Sequence, residues 1–90
     1  MVVSGEDALA VADALTSTGF KILQLLARER LDVSTIAEKL GLSEAYVSTL
    51  MARLEKVKLI SVSYEKGTRG VRKVCELAVG RITIVIKRRK

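Results

Sequence analysis

Between Ser34 and Lys58 the chain reads STIAEKLGLSEAYVSTLMARLEKVK, two apolar repeats of helical period separated by a single tight turn. Few folds accommodate that arrangement. In the first repeat Ile36, Ala37 and Leu40 share one face, and Ser34 offers a hydroxyl to the free N–H groups at the helix start. Gly41 closes this helix, because a residue without a Cβ enters the left-handed conformation at little cost. Leu42 is apolar enough to plug the angle, and Ser43 stands at the next N-cap with Glu44 placed against the positive end of the helix dipole. The second helix puts Val47, Leu50, Met51 and Leu54 inward at i, i+3, i+4 and i+7. Its outer face keeps Ala45, Tyr46, Ser48, Thr49, Ala52 and Arg53, small or hydrogen-bonding side chains that can lie close against a polar surface.

The flanking segments supply the rest of a domain. Ser4 and Asp7 have capping-box spacing ahead of EDALAVADAL, a helix with Ala8, Val11, Ala12 and Leu15 on one stripe and Leu9 beside it. Its alanine-rich stripe can pack on its own domain or on the same helix of a second subunit. Thr16 to Gly19 break the pattern, and FKILQLLARER follows as the central helix with Phe20, Leu23, Leu26 and Ala27 inward, Ile22 alongside, and Arg28 and Arg30 in its last turn. Leu31 to Val33 suffice only for an extended link or one bridge of sheet. After Lys58 the period changes to two: Ile60, Val62 and Tyr64 alternate with serines, KGTRG makes a loop, and VRKVCELAV returns as a second strand. Beyond Gly80, RITIVIK forms a strand that needs cover, as a third strand on the hairpin or from a partner subunit. The terminal Lys87 to Lys90 are expected to be mobile.

Composition narrows what this fold can do. The single cysteine, Cys75, and the absence of histidine remove intramolecular disulfides, multi-cysteine metal sites and the usual proton shuttle. Glu6 and Asp7 open a helix and Glu55 and Glu65 stand alone, so no acid/base pair emerges. No catalytic residue, metal site or cofactor is expected. Cys75 reads as a small buried hydrophobe. No run approaches the roughly 18 apolar residues of a membrane helix, and the first twelve residues lack the pattern of a signal peptide, so a soluble cytoplasmic protein is expected. The absence of asparagine, a lone Gln24 and abundant Lys, Arg and Glu are the composition of a thermophile, here read as archaeal, although the absence of proline runs against it.

Charge is unevenly placed. Residues 1 to 65 hold seven basic and nine acidic side chains, whereas residues 66 to 90 hold nine basic ones against Glu76 alone. A polyanion is the partner such asymmetry favours, since bound Lys and Arg release condensed counterions from nucleic acid. A helix–turn–helix of this form lays its second helix in the DNA major groove.

The order helix, helix, helix, turn, helix, basic hairpin resembles a winged helix–turn–helix. The stretch FKILQLLARERLDVSTIAEKLGLSEAYVSTLMARLEKVKLISVSYEKGTRG is similar to the ArsR-type transcriptional regulators, with the MarR type close by. It carries their core helix, extended link, "IAExLGLS" turn, "VSxxLxxLE" recognition helix and "GLI" approach to the wing. The resemblance implies an α+β fold: an N-terminal helix, three core helices, a hairpin wing and a C-terminal strand in one domain over residues 1–90. The helix–turn–helix spans about 34–58, the wing about 59–79 and the strand about 81–87. It implies a homodimer on double-stranded DNA. Contacts would come from Ser43, Glu44, Ala45, Tyr46, Ser48, Thr49 and Arg53 on the recognition helix and from Lys66, Arg69, Arg72 and Lys73 on the wing. Cysteines that metal-sensing relatives carry near the recognition unit are missing, and a strand replaces their C-terminal helix. The alternative readings are a winged-helix module that docks on another protein and a non-specific chromatin-associated protein.

Overall fold

The computed structural model describes residues 1–68 and 70–86, so Arg69 and the terminal 87–90 lie outside the described residues. Its elements run β1 (Val2–Ser4), α1 (Gly5–Ala14), α2 (Ser17–Leu26), β2 (Leu31–Asp32), α3 (Val33–Leu40), α4 (Glu44–Lys56), β3 (Ile60–Gly67), β4 (Gly70–Leu77) and β5 (Thr83–Val85). Strands β2, β4 and β3 form an antiparallel sheet in that order, and β1 pairs with β5 in a separate parallel ribbon. The expected winged helix–turn–helix is therefore the fold.

The core grows from the repeats of the central segment. Val47, Leu50, Met51 and Leu54 of α4 are buried together with Ile36 and Ala37 of α3 and Ile22, Leu23 and Leu26 of α2. Ser43 caps α4, its Oγ accepting from the Tyr46 N–H at 3.1 Å. Gly41 takes φ 67 in the left-handed region, and the Leu42 N–H reaches back to the Ala37 carbonyl at 2.9 Å, so the turn between α3 and α4 closes as its sequence demands. The same closure ends α4, where Leu59 N–H bonds the Leu54 carbonyl at 3.0 Å. Here the left-handed position, φ 65, is held by Lys58, the position of glycine in the "GLI" pattern. At the corner of α1 and α2 the helices cross at 84°. Gly19 permits it: a Cβ there would stand 2.5 Å from the Ala14 carbonyl oxygen.

Several expectations are corrected. The N-cap of α3 is Asp32, not Ser34: Asp32 Oδ1 accepts from the Thr35 N–H at 2.8 Å. Pairing of Leu31 and Asp32 with Cys75 and Val74 fixes where the extended backbone ends, two residues earlier than local polarity suggests. The Ser4–Asp7 capping box does not form, because Ser4 belongs to β1 and makes no side-chain cap bond. In α1 the buried residues are Val11 and Ala14, while Ala12 and Leu9 face outward. Helix α2 starts at Ser17, with Thr16 Oγ1 accepting from the Gly19 N–H, and stops at Leu26, before Arg28 and Arg30. Its buried stripe is Ile22, Leu23 and Leu26; Ala27 is exposed and Phe20 is 52% exposed. Tyr64 is 69% exposed, since β3 runs past the end of the core. The C-terminal strand does not join the hairpin. It pairs with β1 in the register Val2↔Thr83, Val3↔Ile84 and Ser4↔Val85, and the third strand of the wing sheet is β2.

Cys75 is fully buried, with its Sγ 3.6 Å from Met51 Sδ, and burial pushes the thiol up to about 11. It serves as core. No single helix among the described residues is long and apolar enough to cross a membrane.

Candidate nucleic-acid interface

At 100° per residue, the burial of Val47, Leu50, Met51 and Leu54 leaves Ala45, Thr49 and Ala52 at the centre of the outward face of α4. Two of these are methyl groups, so this stripe permits close approach. Thr49 Oγ1 donates to the Ala45 carbonyl at 3.0 Å, which ties its hydroxyl to the helix and turns the methyl outward as a contact for an apolar edge. Glu44 and Ser48 lie on one flank, Tyr46 and Arg53 on the other. Tyr46 is exposed and Ser48 half-buried.

The flanks open into different clefts. Glu44 and Ser48 share a cleft of about 490 Å³ with Asp32, Val33 and Ser34 at the start of α3 and with Val71, Arg72 and Lys73 of β4. Arg53 instead lines a cleft against α1 with Ala10, Asp13, Ala14, Lys56 and Val57. The structure thus brings Ser48 and Glu44 to the wing but separates Arg53 from them. Ser34 and Asp32 at the wing cleft were missed as site residues in the sequence. Their signal was present: a short polar pair directly before the helix–turn–helix, at the end nearest the recognition helix start.

The hairpin is tight. Gly67 pairs with Gly70, leaving the two-residue connection 68–69, so the loop is shorter than KGTRG. Register sorts its charges by face. Lys66 opposite Val71, and Lys73 opposite Tyr64, continue the face that carries Val62 and Cys75 inside the core. Arg72 opposite Glu65 belongs to the other face. Arg72 Nη1 lies 3.5 Å from Asp32 Oδ2, and Glu65 pairs with Arg30 at the end of the α2–β2 link. The Arg30–Glu65 pair is largely exposed and contributes little to stability, while the Arg72–Asp32 contact, half-exposed on the arginine side only, joins β4 to the start of α3. Of the four wing cations expected from the sequence, Lys66 and Lys73 lie together, Arg72 is tethered to Asp32, and Arg69 lies outside the described residues.

Asp32 therefore has two roles, cap and tether. The Thr35 hydrogen bonds, and then the Arg72 charge, hold its carboxyl below the ordinary value of 3.8. A lowered carboxylate value means stability that is complete above 3.8 and lost as the pH falls through the folded value. We expect Asp32→Ala to cost about 1 kcal/mol at neutral pH, and its disadvantage to shrink on acidification. Asp32→Asn, which keeps the cap acceptor, should cost only a few tenths of that loss at neutral pH. Thermal melts of the three proteins across the acid range check this.

Among the described residues no group of three His, Cys, Asp or Glu side chains converges as a metal site. No buried side-chain polar atom among them lacks a hydrogen-bond partner.

Comparison with known proteins places this geometry. A model of the MarR family matches residues 15–66. The adhesin competence repressor AdcR of Streptococcus pyogenes superposes with a TM-score of 0.63 at 30% identity, over 70% of this chain and 46% of that one. A mutant of ZitR from Lactococcus lactis gives 0.61 at 36% identity, over 70% of this chain and 42% of that one. The homodimeric winged helix–turn–helix DNA-binding domain Mb0332 of Mycobacterium bovis, a possible ArsR-family transcriptional regulator, gives 0.71 over 82% of this chain and 66% of that one; at 24% identity it shows the fold alone. The chain spans about half the length of AdcR and ZitR. No curated protein sequence matches it. The sequence resemblance put the ArsR type first and the MarR type beside it; the matching family is the second, and the ArsR likeness persists in the fold.

Proposed function

The chain belongs to the MarR family, and from that premise we propose that it is a homodimeric regulator of transcription that binds double-stranded DNA inside the cell. The family is one of winged-helix transcription regulators rather than enzymes. Residues 1–90 act as one DNA-binding unit. Helix α4 enters the major groove and presents Ser43, Glu44, Ala45, Tyr46, Ser48 and Thr49, while the β3–β4 hairpin lays Lys66, Lys73, Arg72 and Arg69 along the backbone or into the minor groove. The observation that carries this reading is the pairing of a methyl-and-hydroxyl helix face with a cationic hairpin across one open cleft. Dimerisation is supported by the homodimeric state of the Mb0332 domain, and two copies would present paired recognition helices to successive major grooves.

The composition of the helix face sets the kind of reading. Strong base discrimination comes from Arg or Lys on guanine and from Asn or Gln on adenine. On α4 the side chains of these types are Arg53 and Lys56, and both open onto the α1 flank. Ser48, Thr49 and Tyr46 remain for phosphates, base edges and thymine methyls. We therefore assign part of the specificity to groove shape, read by the hairpin cations.

Fluorescence anisotropy with two labelled duplexes tests the proposal, one from the gene's own upstream region and one scrambled at equal composition, each at low and near-physiological salt. The expected result is binding that weakens steeply with salt and favours the upstream duplex. Equal affinity for both would select a chromatin-like role. Absence of binding at low salt would overturn the DNA reading in favour of a protein-docking module.

A further inference from the structure

The large exposed apolar side chains of the described residues fall into two groups. Tyr46, Tyr64 and Val71 lie on α4 and the hairpin, beside the proposed DNA surface. The other six, Val2, Leu9, Phe20, Ile84, Val85 and Ile86, come from β1, α1, the start of α2, β5 and the residue that follows β5. An apolar groove of about 360 Å³ runs between α2 and β5 within this second group, walled by Leu15, Phe20, Leu23, Ile82 and Ile84. An uncovered apolar layer therefore joins Phe20 of α2 to Ile84 of β5, and it reaches β4 only at Leu77, the end away from the hairpin turn.

The β1–β5 ribbon gives this layer a direction. Thr83 N–H donates to the Met1 carbonyl at 2.8 Å, so Thr83 turns its backbone groups toward β1. By the alternation of a parallel pair Val85 does the same, and Ile84 turns its N–H and C=O to the opposite edge. No strand among the described residues occupies that edge. A two-stranded ribbon alone is marginal in water, and an uncharged edge such as Thr83-Ile84-Val85 is a template for pairing.

We propose that a second copy of this chain covers the edge: β5 pairs antiparallel with its own counterpart about a two-fold axis, joining two ribbons into one four-stranded sheet in the order β1–β5–β5–β1. This rests on the homodimeric reading above and names its surface. The occupant is a second copy because antiparallel pairing of identical strands is self-complementary and closes on two chains. The edge itself carries no charge that would select a different partner. Phe20 and Ile86, unexplained as exposed side chains, border the seam and become buried across it. The outward face of α4 and the hairpin stay free.

Sedimentation velocity on the full chain tests the proposal with two variants. Ile84→Pro removes the outward N–H and leaves the bonds of Thr83 and Val85 to β1 in place. Ile86→Lys places a charge at a side chain 88% exposed in the monomer, so the monomer fold tolerates it. The expected result is twice 9.8 kDa for the natural chain and 9.8 kDa for both variants, with unchanged helical circular dichroism. Should Ile84→Pro fail to fold, Ile86→Lys decides. A natural chain that is dimeric together with folded variants that stay dimeric would overturn the β5 seam and leave the dimer standing; a monomeric natural chain would overturn both.

Discussion

Reversing Lys66 and Lys73 together, Lys66→Glu with Lys73→Glu, is expected to weaken binding to duplex DNA by about a hundredfold at near-physiological salt, at roughly 1.4 kcal/mol for each charged hydrogen bond removed. The two lysines share one face of the hairpin, with Val71 and Tyr64 opposite them, and no acidic side chain among the described residues pairs with either. Their charge is therefore available to phosphate. Arg72 is a weaker choice for the same experiment: its reversal also faces Asp32 with a second carboxylate, so it disturbs the hairpin angle along with the DNA surface. The lysine pair makes a second, sharper statement. The slope of log affinity against log salt should fall by about one for each phosphate that is no longer neutralised. Lys66 is exposed and Lys73 half-buried, so the melting temperature should change little. Salt titrations by fluorescence anisotropy, paired with thermal melts, check both parts. Unchanged affinity in a folded double variant would remove the hairpin from the interface.

Leu54→Ala is expected to have the largest effect on stability. Leu54 is 0% exposed and sits with Met51 and Val47 at the centre of the cluster that α4 forms with α2 and α3. Truncating a buried leucine costs about 2–5 kcal/mol, because the lost transfer energy is joined by the cavity left behind. A chain of this size has on the order of 5–13 kcal/mol in total. A loss of that scale lowers the melting temperature by roughly 8–40 °C, at about 4–8 °C per kcal/mol. The effect is separable from recognition, since Leu54 faces away from Ala45, Thr49 and Ala52. Well below the new melting point the variant should bind DNA as the natural chain does. Thermal denaturation by circular dichroism at fixed protein concentration measures the shift. A shift of only a few degrees would mean that the core is looser than the burial of Leu54 implies.

What the sequence made legible follows from how local each signal is. The four buried residues of α4, the Ser43 cap and the left-handed Gly41 are set by neighbours within one or two turns, and each stands where the pattern put it. The hairpin was legible for the same reason, through alternation and paired glycines. The first cap of the motif was not. Asp32 and Ser34 are equally good caps, and the choice between them is made by β4, distant in sequence, through the pairing of its Cys75 and Val74 with Leu31 and Asp32. Strand β1 carried no local signal at all: its three residues become a strand only because residues 83–85 lie beside them. Phe20 departs from its expected inward position because α2 is apolar at Ile22, Leu23, Leu25 and Leu26 as well, so period alone does not fix its phase.

The candidate site divides in the same way. Exposure along α4 could be read from the helical period, and Ser43, Ala45, Tyr46 and Thr49 stand outward as expected. Period could not show that Arg53 opens onto α1 while Ser48 opens onto the hairpin, because that depends on which elements flank the helix. Nor could alternation show that Lys66 and Lys73 lie on one face and Arg72, held by Asp32, on the other until strand register was known.

In the proposed function, α4 and the hairpin together form the DNA surface. Nuclear magnetic resonance tests it most directly, through amide shifts of the isotopically labelled 9.8 kDa chain titrated with a short duplex at near-physiological salt. Changes are expected to concentrate at Ser43 to Thr49 and at Lys66 to Lys73, with α1 and β5 unmoved. Changes confined to the α1–β5 layer, or no changes as duplex is added, would contradict it.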